Sequence, residues 1–102
     1  MAQTVVVRYR TKDDAAEENQ RLVEQVFAQL AKEDPGGLRY ATFRLADGVS
    51  FIHVAVVEDG AANPLASLAA FADFTRNIDQ RCVAGPEPSG ATVVGSYRFF
   101  ED

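Results

Sequence analysis

Cysteine, histidine and tryptophan are almost missing from this chain of 102 residues, which has one Cys, one His and no Trp. A lone Cys82 can close no intrachain disulfide and, without partner thiols, builds no cysteine-based zinc centre. A reducing compartment suits it. No Gly-rich phosphate loop follows a strand and no ligand cluster stands out, so no flavin, haem, metal or other cofactor is expected. No apolar run approaches the length of a membrane span. The opening Met1-Ala2-Gln3-Thr4 lacks the basic start and long apolar stretch of a secretory signal, and a cytoplasmic location is the expectation. Basic charge is also scarce, with 10 Lys and Arg against 15 Asp and Glu and a net charge of −5. Such a surface repels phosphate backbones and anionic lipid, so neither nucleic acid nor membrane is an expected partner.

What remains is an ordinary globular balance, 47% hydrophobic and 25% charged, at the size of a single domain spanning residues 1–102. Thr4 to Arg10 alternates, with Val5, Val7 and Tyr9 on one face against Val6, Arg8 and Arg10, and reads as a strand. Thr11 followed by Asp14 resembles a capping box, and Leu22, Val23, Val26, Phe27 and Leu30 then form one helical stripe. Pro35-Gly36-Gly37 stops that helix. Leu38 to Leu45 and a run from Val49 or Ser50 to Val57 flank Asp47-Gly48, a strong hairpin signal. Asn63-Pro64 reads as an N-cap and first helical residue, opening a second helix with Leu65, Leu68, Phe71, Phe74, Ile78 and Cys82 on its apolar side. Gly85 to Gly90, with its two prolines, reads as a surface connection, and Ala91 to Phe100 as the last strand.

Strand, helix, hairpin, helix, strand is the ferredoxin-like β-α-β-β-α-β pattern, an α+β fold with an antiparallel sheet. Right-handed crossovers put both helices on one face. The third strand is apolar on both sides, with Ile52, Val54 and Val56 on one and Phe51, Ala55 and Val57 on the other. Helices cover only one of these. A second copy of the chain is the expected cover for the other, giving a homodimer.

This order of elements, together with Ser50-Phe51-Ile52-His53-Val54-Ala55-Val56-Val57-Glu58-Asp59 leading into a helix with Phe71 and Phe74, resembles the antibiotic-biosynthesis monooxygenase-like family over nearly the whole chain. The resemblance implies a small dimeric α/β barrel. It also implies a cofactor-independent monooxygenase activity on a phenolic or quinol-type small molecule. Related barrels include non-catalytic, stress-associated dimers and isomerases of the muconolactone type, and both remain alternatives. Ala55 and Val57 stand where the family's third strand often has Glu and then Trp or Tyr, and Ala70 precedes Phe71 where a His is common. With no tryptophan either, the haem-degrading branch is disfavoured.

Candidate chemistry centres on His53, the only side chain with an ordinary pKa near neutrality and hence a candidate general base. A two-residue turn at Asp47-Gly48 places Thr42 opposite His53, Tyr40 opposite Ala55 and Arg44 opposite Phe51, so that Tyr40, Thr42, Arg44 and His53 share a face. A three-residue loop with a bulge at Gly48 slips the register by one and disperses them. His53 is the expected base, Tyr40 or Tyr97 its hydrogen-bonding partner and Arg44 the anion stabiliser. Thr42, Phe71, Phe74 and Tyr97 are then expected to line a site for a small aromatic ligand. Each has a plainer reading: His53 hydrogen-bonded in the core, Arg44 paired with a carboxylate, the phenylalanines as packing.

Overall fold

The computed structural model describes residues 2–60 and 62–99. Strand β1 (Gln3–Thr11) leads through a 3₁₀ turn at Asp13–Ala15 into helix α1 (Ala16–Glu33). The β2 (Leu38–Arg44) and β3 (Ser50–Val57) hairpin follows, then a 3₁₀ turn at Pro64–Ser67 and two short helices, α2 (Ala69–Thr75) and α3 (Ile78–Arg81). Strand β4 (Cys82–Ala91) completes the sheet, whose order is β2-β3-β1-β4 with every neighbouring pair antiparallel. This is the expected ferredoxin-like α+β arrangement. Tyr9, Val23, Val26, Phe51, Leu65, Leu68 and Phe74 form the core between the sheet and the helices.

The hairpin has the register that unites Thr42 with His53, Tyr40 with Ala55 and Arg44 with Phe51. It is reached by a longer loop than a two-residue turn. The Gly48 N–H bonds the Leu45 carbonyl, and Leu45 pairs with Ser50, leaving four residues between them. Gly48 takes φ +80°, which a side chain would resist, and Val49 supplies the extra residue that restores the register. Asp47 fastens the loop, its carboxylate accepting the Val49 and Ser50 N–H groups and the Ser50 hydroxyl. Those bonds, the Ser50 hydroxyl foremost, hold its pKa down at about 2.

Three expected boundaries are corrected. Thr11 does not cap α1: it lies in β1, and its hydroxyl donates to the Val49 carbonyl. Sheet pairing with Cys82 has claimed the residue that the capping pattern would use. The second helix is not continuous. Leu68 is extended and buried, Asn77 adopts φ 62°, and Cys82 opens a strand instead of ending a helix. Asparagine is among the few residues that tolerate this left-handed conformation.

The largest correction concerns the last strand, which is Cys82–Ala91 and not Ala91 to Phe100. Residues 92–99 lie outside the sheet, and Phe100 falls outside the described residues. Pro86 and Pro88 argued against a strand, but β4 is an edge that pairs with β1 alone. A missing N–H costs little where it would face solvent, and the register shifts between Arg8 and Arg10, opposite Gly85 and Pro86.

Candidate functional site

The sheet face beneath the helices carries Val5, Val7 and Tyr9 from β1, Tyr40 and Thr42 from β2, and His53, Ala55 and Val57 from β3. Antiparallel pairing sets Val7 beside His53 and His53 beside Thr42. Over part of this face, α2 stands off and leaves a cavity of about 240 Å³. Valines, Ala55, Leu65, Phe71, Phe74 and Ile78 make its walls, and Tyr9, Tyr40 and His53 bring its polar atoms. A larger hollow of about 710 Å³ runs along Lys12, Arg21, Asp73 and Arg76. Its charged rim lacks the apolar enclosure and few convergent polar groups typical of a small-molecule site.

His53 is 5% exposed and bonded at both ring nitrogens. Nε2 lies 2.7 Å from the Tyr9 hydroxyl, and Nδ1 lies 2.6 Å from the Tyr40 hydroxyl and 3.1 Å from that of Thr42. The chain continues behind Tyr9. Asn19 Nδ2 donates to the Tyr9 hydroxyl at 2.8 Å, and Arg81 Nε donates to Asn19 Oδ1 at 3.2 Å. Arg81 is held in turn by the carbonyls of Phe74 and Arg76. Phe74 packs its ring against His53, with centroids 5.2 Å apart, and Tyr40 stacks on Phe27 at 5.0 Å.

Burial decides the protonation states. Desolvation disfavours charge, so the His53 pKa is pushed down to about 4 and the imidazole is neutral at pH 7. The same effect pushes Tyr40 up to about 12 and raises Tyr9 further, so both phenols keep their protons. The site is a neutral hydrogen-bonded chain at the floor of an apolar cavity.

Of the residues singled out in the sequence, His53, Tyr40, Phe71 and Phe74 line the cavity, and Thr42 meets His53 from beside it. Arg44 is elsewhere. Its guanidinium pairs with Glu17 at 3.0 Å and bonds Gln20 and the Gly48 carbonyl. Tyr97 follows β4, is 83% exposed and does not line the cavity. Asn19 and Arg81 were not anticipated. A signal for Asn19 exists: it falls on the buried stripe of α1 with Ala16, Val23 and Val26, a polar residue at a core position. Arg81 offers none, since its burial depends on how α3 is set against α1.

Solved structures supply the comparison. A candidate antibiotic biosynthesis monooxygenase from Nitrosomonas europaea superposes with a TM-score of 0.72 at 14% identity, over 91% of this chain and 90% of that one. SnoaB, a cofactor-independent oxygenase from Streptomyces nogalater, superposes with a TM-score of 0.67 at 18% identity, over 93% and 95%. This chain has the fold of the antibiotic biosynthesis monooxygenase-like proteins. A further candidate monooxygenase of that kind, from Chloroflexus aurantiacus, matches with a TM-score of 0.70 at 11% identity, over 95% and 97%. No family model and no curated protein matches the sequence. Among the described residues no helix is long and apolar enough to cross a membrane, and no three His, Cys, Asp or Glu side chains gather as a metal site.

Proposed function

We propose that the cavity binds a small planar molecule bearing an oxygen function, and that the protein oxidises such a phenolic or quinol-type molecule without a cofactor. The observation that carries this reading is the neutral Tyr9–His53–Tyr40 chain set into an otherwise apolar enclosure. Apolar walls favour an aromatic body, and a few convergent polar groups fix its orientation. His53 is the proposed base: neutral at pH 7, it can take up a substrate proton, and a phenolate gives electrons to dioxygen more readily than the phenol. Tyr40 is proposed to meet the substrate oxygen. The anion-stabilising role first expected of Arg44 passes to Tyr40 in this reading, because the guanidinium lies outside the cavity.

Oxygen uptake tests the reaction. A panel of quinols and anthrone-like compounds in an oxygen electrode should include one whose consumption follows protein concentration and falls at least tenfold in His53→Gln. Binding by panel members without any uptake would support a second reading, a non-catalytic ligand-binding protein. The engagement of both His53 nitrogens, which leaves the imidazole no free lone pair, favours that alternative.

The homodimer is part of the same proposal. Val6, Ile52, Val54 and Val56 lie half-buried on the sheet face away from the helices. Beyond β4, Val93, Val94, Tyr97 and Phe99 are exposed, Val94 at 98%. That much apolar surface on a small chain is the mark of an interface between subunits. Light scattering at micromolar concentration is expected to report twice the chain mass of 11.1 kDa. A monomer under those conditions would count against it.

A further inference from the structure

The positions of the protons in the buried chain follow from its fixed end at Arg81. A guanidinium has donors and no acceptor. Its Nε–H faces one end of the Asn19 side chain, so that end must be the carbonyl oxygen. A flipped amide would set N–H against N–H. The amide NH2 of Asn19 is therefore directed at Tyr9, whose hydroxyl oxygen accepts it. Tyr9 is 2% exposed, and its own proton has one acceptor within reach among the described residues, His53 Nε2. The opposite arrangement would have Tyr9 accept two N–H bonds and bury a hydroxyl proton with no acceptor.

With Nε2 accepting, a neutral His53 carries its single N–H on Nδ1. That proton goes to the Tyr40 oxygen, with the Thr42 hydroxyl as a second acceptor. Tyr40 is only half-buried and lines the cavity, and its own proton, which His53 does not need, is available to the cavity beside the Thr42 hydroxyl that it also meets. Tyr9 lines the same cavity with its proton committed and, among the described residues, one lone pair unused.

We infer that Asn19 and Arg81 are positioning residues that lock His53 in its Nδ1-protonated form, giving the cavity a hydrogen-bond donor at Tyr40 and an acceptor at Tyr9. This deepens the proposed reading and, for the reaction, rests on it. A substrate hydroxyl placed on Tyr9 loses its proton to the Tyr9 oxygen as the Tyr9 proton moves to Nε2. One substrate O–H bond breaks, the Tyr9 O–H bond is re-formed, and one N–H bond forms. His53 becomes an imidazolium and the electron pair stays on the substrate oxygen. Tyr40 is the donor for an oxygen that carries negative charge. The chain has a direction, in at Tyr9 and out at Tyr40.

The test uses ligand-free, 15N-labelled protein at pH 7. Two-bond 1H–15N correlations of the His53 ring should show a protonated Nδ1 and an unprotonated Nε2. That is the reverse of the form an imidazole side chain favours in water, so the surroundings must impose it. In Asn19→Asp the carboxylate still accepts from Arg81 but cannot donate, so Tyr9 must give it a proton and then accept one from Nε2. The tautomer should invert. A wild-type ring protonated on Nε2 overturns the inference by itself, whether or not the variant folds. An uninverted ring in a folded Asn19→Asp protein overturns it as well. Because no ligand is present, either result is independent of whether the cavity binds or oxidises a phenol, which oxygen uptake decides separately.

Discussion

Lowering the pH from 7 to 4.5 is expected to cost the folded state about 2–3 kcal/mol through His53 alone. Burial sets its pKa at about 4 against an ordinary value of 6.5. Above 6.5 the side chain is neutral in both states and the contribution is complete. As the pH falls through that value the unfolded chain takes up a proton that the folded chain refuses, and unfolding gains. Below about 4 the folded chain accepts the proton too, and the loss levels off. The structural reason is burial: the imidazole is 5% exposed, and desolvation disfavours its charged form. Asp47 acts lower down. Its depressed pKa of about 2 stabilises the fold above 3.8 and is lost only as the pH drops below that, outside the His53 window. Urea denaturation at fixed chain concentration, stepped between pH 7 and 4.5, should show the decline in wild type and a much flatter profile in His53→Gln. Equal slopes in the two proteins would mean that His53 titrates normally.

The parts of this fold legible in the sequence are those set by local pattern. Alternation in β1, the stripe of α1 and the Asp47-Gly48 turn each report on residues adjacent in sequence. Together they gave the element order and one of two registers. The grouping of Tyr40, Thr42 and His53 followed from that register. Tyr9 was visible as a tyrosine on the apolar face of its strand, but its place beside His53 depends on β1 pairing with β3, a contact across 44 residues that no local signal fixes. Asn19 and Arg81 lie one step further off, joined across 62 residues. The misplacement of β4 has a different cause. Gly85-Pro86 and Pro88 carry a loop signal, and only their position on a sheet edge makes them compatible with a strand. Val93, Tyr97 and Phe99 have the alternation of a strand, yet residues 92–99 lie outside the sheet.

Ligand binding should separate the residues that share the cavity from those that share only the sheet face. Phe71 is half-buried on the cavity wall, so Phe71→Ala removes an aromatic contact from a bound molecule with limited damage to the core. Loss of one such contact is worth about 1.4 kcal/mol, or about tenfold in affinity. Arg44→Gln should leave affinity unchanged, because its guanidinium is engaged with Glu17 and Gln20 outside the cavity. The most direct measurement is a titration of the labelled protein with a two-ring phenol, 2-naphthol, followed by NMR at the His53 and Phe71 rings. Saturable shifts at both rings, with Tyr97 unmoved and the midpoint raised about tenfold by Phe71→Ala, are the predicted result. Rings that stay unmoved up to the solubility limit of the phenol, or shifts confined to Tyr97 and its surroundings, would contradict the assignment of this cavity as the functional site.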